Sequence, residues 1–159
     1  MKRKASGTRR KRFWTVLFSL CLWVPLFAQG GGGWGWGHNR YGQLGDGSPL
    51  TCVPGQTVNL AGVRSIAGGY WHSLALKDDG TVWAWGYNGY GELGNGTTTH
   101  SNVPVAVSAF TGGVAIAAGA GYSLALKNDG TVWAWGANGN GQLGNGTTTS
   151  SEVPVQVSG

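Results

Sequence analysis

The sequence repeats itself. The segment Trp85-Gly86-Tyr87-Asn88-Gly89-Tyr90-Gly91-Glu92-Leu93-Gly94-Asn95-Gly96 returns fifty residues later at Trp135 to Gly146, and an earlier copy runs from Trp36 to Gly47. A second block, Ser73 to Gly86, returns at Ser123 to Gly136 with one change, Asp78 to Asn128. Pro54, Pro104 and Pro154 keep the same fifty-residue spacing. A unit of this length cannot bury its own apolar faces, so copies must stack on one another to build a core. Copies at about 34–66, 67–116 and 117–159 account for nearly everything after residue 33.

Within a unit the pattern has period two. Leu74 and Leu76 alternate with Ser73 and Ala75, and Thr81, Trp83 and Trp85 alternate with Val82 and Ala84, which is the signature of extended strands. Asp79-Gly80 and Asp129-Gly130 join the two runs, and Asp-Gly predicts a hairpin with a type I′ turn. Extended pieces at 103–107 and 116–118 bring the count to about four short strands per unit. The expected sheet carries large residues on one face and small ones on the other, which suits wedge-shaped blades around an axis. The fold class is therefore all-β: propeller blades of about four antiparallel strands, in an incomplete ring of about two and a half repeats. With 31 Gly but 41% hydrophobic residues and no three-residue period, neither collagen nor disorder fits.

The formal charge of +5 points toward nucleic acid only until it is located. Seven of the eleven basic residues lie in the first twelve positions. From Gly30 onward four bases face six acids, a net of −2, so no nucleic-acid partner is expected for the body of the chain. Behind the basic run, Phe13 to Phe27 is free of charge and is followed by Ala28-Gln29. A positive stretch, an apolar core and a small residue near the end predict an export signal over 1–29, with cleavage after Ala28. A lasting membrane span is not expected, because about 20 apolar residues are needed and Pro25 interrupts this run. Contact with the membrane would be transient and the mature protein would be secreted or held in the cell envelope. Cys21 would leave with the signal and Cys52 would remain alone, which excludes an intrachain disulfide.

The pattern Leu-Ala-Leu-Lys-Asn-Asp-Gly-Thr-Val-Trp-Ala-Trp-Gly followed by Asn-x-x-Gly-Gln-Leu-Gly-x-Gly, at Leu124 to Gly146, resembles the repeat of the regulator of chromosome condensation and its bacterial relatives. The resemblance covers roughly residues 34–159 and implies a propeller, seven-bladed in complete members of the family. Two complete units and part of a third fall short of that number, so a truncated gene, a partial sequence or an oligomer of this chain is expected.

Catalytic chemistry has little to build on. His38, His72 and His100 occupy non-equivalent repeat positions and read as surface loop residues, so no metal site is expected. The Asp78-Asp79 pair returns as Asn128-Asp129 and reads as turn chemistry. No catalytic set and no cofactor motif is found. Trp83, Trp85, Trp133 and Trp135 recur with strand alternation and read as packing.

Recognition should instead use positions that differ between otherwise equal copies. After each Trp-Gly the loop reads His38-Asn39-Arg40-Tyr41, then Tyr87-Asn88-Gly89-Tyr90, then Ala137-Asn138-Gly139-Asn140. Turn geometry fixes the Asn and leaves His38, Arg40, Tyr41, Tyr87 and Tyr90 as candidate partner-surface residues, of types favoured at binding hot spots. The expected function is a non-enzymatic, exported protein-interaction module or a fragment of one. The resemblance adds an inhibitor-like variant, since a secreted bacterial relative inhibits β-lactamase. It also implies the alternative of nucleotide exchange on a small GTPase, although no exchange residue can be carried over. A truncated remnant without independent function is the third reading.

Overall fold

The computed structural model describes residues 33–48 and 51–158; the expected export signal at 1–29 lies outside them. Among the described residues all regular structure is β. Strands β1 (Trp34–Gly37) and β2 (Thr51–Gln56) form a two-stranded pair. Strands β3 (Val63–Gly68), β4 (His72–Lys77), β5 (Val82–Gly86) and β6 (Ser101–Ala106) form a four-stranded antiparallel sheet in that order. Strands β7 (Gly113–Ala118), β8 (Tyr122–Lys127), β9 (Val132–Gly136) and β10 (Ser151–Gln156) repeat it. We refer to the three sheets as the first, second and third blades. Pro104 and Pro154 sit in β6 and β10, the outermost strands, where a missing N–H costs no ladder bond. The two full sheets run from 63 to 106 and from 113 to 156, so divisions at 66/67 and 116/117 cut through β3 and β7.

The β4–β5 register corrects one expectation. Leu74 lies opposite Ala84 and Leu76 opposite Val82, while Ser73 lies opposite Trp85 and Ala75 opposite Trp83. Each face therefore mixes large and small residues, because the small positions of one strand sit across from the large positions of the next. What distinguishes the faces is the kind of large residue, leucine on one and tryptophan on the other. The Trp face of the second blade packs Trp85 and Ala75 with Leu60 and Val63 toward the first blade. Its Leu face packs Leu74, Leu76, Val82 and Ala84 with Leu93, Phe110 and the Trp135 and Ala125 of the third blade. β7 packs against both β3 and β4, which puts the narrow side of the wedge along β3 and β7.

The hairpin turn differs too. Gly80 has φ of 77°, but Asp79 does not take a positive φ, which excludes type I′. Gly80 N–H donates to the Lys77 carbonyl (3.0 Å) and Lys77 N–H to the Thr81 carbonyl (2.9 Å). This is the three-residue connection, a type I turn closed by a left-handed glycine. Asp79 is held in it because its Oδ1 accepts from the Thr81 N–H (3.0 Å) and hydroxyl (2.6 Å), and Asp129 does the same for Thr131.

Two backbone-directed hydrogen bonds recur at each blade junction. The Gln43 carbonyl accepts from the Ser73 hydroxyl (2.9 Å) and the Trp85 indole N–H (2.7 Å). The Glu92 carbonyl accepts from Ser123 (2.8 Å) and Trp135 (2.8 Å) in the same way. The arrangement is open: Leu124, Leu126 and Val132, equivalents of the buried Leu74, Leu76 and Val82, are only partly covered, and Val132 is 39% exposed against 1% for Val82.

Candidate protein-recognition surface

The loop after each Trp strand is built around a buried asparagine. Asn39 Oδ1 accepts from Leu44 N–H (2.9 Å) and its Nδ2 donates to the Ser48 carbonyl (2.6 Å). Asn88 does the same with Leu93 and Thr97, and Asn138 with Leu143 and Thr147. All three are 1% exposed or less. Their side chains do the work of a backbone turn from the inside, so the residues flanking them are free to point outward.

At the junction of the first and second blades those flanking residues gather. Tyr41 and Tyr87 meet edge to face with ring centroids 5.0 Å apart. Trp71, just before β4, lies 5.3 Å from Tyr41 and 5.4 Å from Tyr87. His100 lies 4.5 Å from Tyr87 and 5.5 Å from Tyr41. Tyr70 extends the group from Trp71 at 4.7 Å and is 54% exposed. The Arg40 guanidinium lies 5.6 Å from the Tyr41 ring centre, within range of a cation–π attraction. Beside the cluster, an open cleft of about 350 Å³ is lined by Arg40, Tyr41, Ser48, His100 and Asn102 among others. Aromatic rings with an arginine at the rim offer large contact area at low cost in side-chain entropy.

Of the candidates read from sequence, the structure brings Tyr41, Tyr87 and Arg40 together. His38 turns to its own loop, where its Nδ1 pairs with Gln43 Nε2 at 2.9 Å. Tyr90 is 55% exposed but belongs to the junction of the second and third blades. Sequence reading missed Tyr70, Trp71 and His100. The rule that found Tyr41 would have found them had it been applied beyond one loop, since their counterparts are Ala120, Gly121 and Ser150.

His72 is not the surface loop residue expected. It is 1% exposed, and its ring Nε2 lies 2.9 Å from the Ser123 hydroxyl of the next blade. Ser123 spends its proton on the Glu92 carbonyl, so it accepts from His72 Nε2–H, and burial of the ring favours the neutral imidazole. Burial lowers the His72 pKa to about 4. The unfolded chain takes up this proton near pH 6.5 and the folded chain does not until about pH 4, so stability is lost as pH falls between those values. The loss attributable to this group is about 3 kcal/mol. Glu92, whose carboxyl is raised by burial, works in the opposite sense: its contribution is lost as pH rises through its folded value. The His72 term is isolated by comparing His72→Gln with the parent in urea unfolding at each pH. The parent should lose stability relative to the variant from pH 6.5 to 4, and parallel profiles would contradict the buried neutral imidazole. Among the described residues no three His, Cys, Asp or Glu side chains gather as a metal site requires.

Wedge-shaped antiparallel blades stacked Leu face to Trp face, with variable loops at one end, define an open β-propeller array. The signature described as regulator of chromosome condensation (RCC1) repeat matches residues 31–76, 79–126 and 129–159, and a second form of it matches 63–92 and 114–142. The chain belongs to the RCC1 repeat family. Human WBSCR16 is similar in structure, at 25% identity and a TM-score of 0.73, over 84% of this chain and 36% of that one. Yeast RCC1 (Prp20), in its crystal structure bound to Kap60, is 25% identical with a TM-score of 0.70 over 80% and 33% of the two chains. Prp20p from Saccharomyces cerevisiae, in a structure described with its binding to Gsp1p and histones, is 26% identical with a TM-score of 0.69 over 80% and 34%. The chain thus spans about a third of the length of these relatives. No curated protein matches it.

Proposed function

We propose that the chain is a non-enzymatic protein-interaction module, exported by the segment at 1–29, whose recognition surface is the aromatic cluster between the first and second blades. The observation that carries this reading is the assembly of Tyr41, Trp71, Tyr87 and His100 from two blades into one solvent-facing group. The same positions in the next copy are Tyr90, Gly121, Ala137 and Ser150. A core requirement would be met in every copy; a surface that serves a partner need exist only once. Relatives of the same fold are described with protein partners, Kap60 in one case and Gsp1p and histones in another.

The test compares the parent, as recovered from the medium or envelope, with Trp71→Ala and Tyr41→Ala. Proteins cross-linked to the parent are identified and their affinities measured for all three forms. Each substitution should weaken the genuine partner at least tenfold, the behaviour of a hot-spot residue, while leaving the cooperative melt in place. Unchanged affinities in both variants would remove the cluster from recognition. N-terminal sequencing of the recovered protein addresses export separately, since residues 1–28 should be missing.

A further inference from the structure

The junction of the second and third blades differs from the first junction in one chemical respect. Gln43, Glu92 and Gln142 occupy the same repeat position. In each, one side-chain oxygen accepts the N–H of the residue two before it: Tyr41 (3.0 Å), Tyr90 (2.9 Å) and Asn140 (2.8 Å). The remaining atom of Gln43 is a donor, and it reaches His38 Nδ1 at 2.9 Å. At Glu92 that atom is a second acceptor, Oε1. It is buried and nothing donates to it, the one such side-chain atom among the described residues.

The surroundings offer no counter-charge. Glu92 is 1% exposed, and its carboxyl is raised first by burial, with only backbone N–H groups acting against that and no basic side chain. A buried carboxylate oxygen without a donor is costly, and the cost is relieved when a cation supplies both charge and hydrogen bond. The cover over Oε1 is thin. A Cβ added to Gly121 would stand 3.6 Å from Oε1 and 3.5 Å from the Ala137 Cβ. The corresponding residues at the first junction are Trp71 and Tyr87, whose large rings meet at 5.4 Å with their planes tilted by 58°. Tyr90, whose backbone N–H binds the other carboxyl oxygen, is 55% exposed.

We propose that Glu92 Oε1, beneath Gly121 and Ala137 and beside Tyr90, is a binding site for a single alkylammonium group, such as that of a lysine side chain. The ammonium would enter between the two small residues and donate to Oε1, supplying the charge and the hydrogen bond that this oxygen lacks. This site is separate from the aromatic cluster and stands or falls without it.

The test titrates the full chain at pH 7 with n-butylammonium chloride, with sodium chloride at equal ionic strength as reference, and follows the Glu92 carboxyl carbon and Tyr90 amide by NMR. A saturable shift is expected with butylammonium only. Glu92→Gln, which installs the residue found at positions 43 and 142, should weaken binding at least tenfold. Gly121→Trp, which installs the large ring found at position 71 at a glycine without a positive φ, should abolish it while leaving the carboxylate in place. N-acetyl-lysine amide binding as well as butylammonium would assign the source to a peptide side chain, and its exclusion would assign the site to free amines. No shift beyond the salt reference, as when water alone satisfies Oε1, would overturn the proposal, and so would an equal shift in Glu92→Gln.

Discussion

Trp135→Ala is expected to cost about 3–5 kcal/mol, a large fraction of the stability of a domain this size. Trp135 is fully buried at the boundary of the second and third blades, with Phe110 6.1 Å away and the Leu face of the second blade around it. Its indole N–H donates to the Glu92 carbonyl at 2.8 Å. Removing it empties a space that neither blade can fill, because the walls are strands already held in their own ladders. The carbonyl would keep its Ser123 donor, so the loss is mainly packing. Trp133, two residues away, provides the comparison. It is half-buried, its indole N–H donates to Thr131 of its own blade at 2.9 Å, and Lys127 lies over its ring at 4.4 Å. Trp133→Ala should therefore cost well under half as much in urea unfolding. Equal losses would mean that Trp133 holds the blade junction as firmly as Trp135 does, and that the hold of the Trp face is not concentrated at its fully buried member.

That contrast between Trp133 and Trp135 was half legible in the sequence. Alternation placed both residues on one face, and the fifty-residue repeat placed them in every copy, so a packed β array could be read without coordinates. Alternation describes a strand by itself, whereas the composition of a face depends on register with its neighbour. Leu74 opposite Ala84 and Ser73 opposite Trp85 could not be read until the three-residue turn was known, and the Asp-Gly pair pointed to a shorter one. The turn differs because Asp79 serves Thr81 through its side chain, a use that the dipeptide does not reveal. His72 escaped for a different reason. Its partner Ser123 lies fifty-one residues away in the next blade, and the same position in that blade is Tyr122, so comparison of copies showed a variable residue where the structure has a buried one. The candidate surface fell between these cases: copy-to-copy variation found Tyr41, Arg40 and Tyr87, and the missing members lay on the loops before β4 and β6, which fold beside them from elsewhere in the repeat.

Gly91→Ala and Gly141→Ala make the same chemical change at the same repeat position and should differ widely in cost. Both glycines have positive φ, 88° and 75°, so an alanine at either bears the left-handed penalty of about 1–2 kcal/mol. At Gly141 nothing lies within 4 Å of the added methyl, and that penalty is the whole effect. At Gly91 the methyl would stand 2.5 Å from Glu152 Cα and 2.7 Å from the Ser151 carbonyl oxygen, both backbone atoms of β10 in the next blade. Backbone cannot rotate aside as a side chain can, so the loop and β10 must separate, which adds about 1–3 kcal/mol by overpacking. The separation would also stretch the Gly96 N–H to Glu152 carbonyl bond, now 2.9 Å, which ties the second blade to the third. Gly42 repeats the arrangement against Asn102 Cα at 2.4 Å, with Gly47 N–H bonded to the Asn102 carbonyl at 3.1 Å. The glycine is thus a docking surface for the following blade, and urea midpoints of the two variants measure how closely the blades engage. Equal midpoints would show that the glycine serves only its own turn and that the loops do not join one blade to the next.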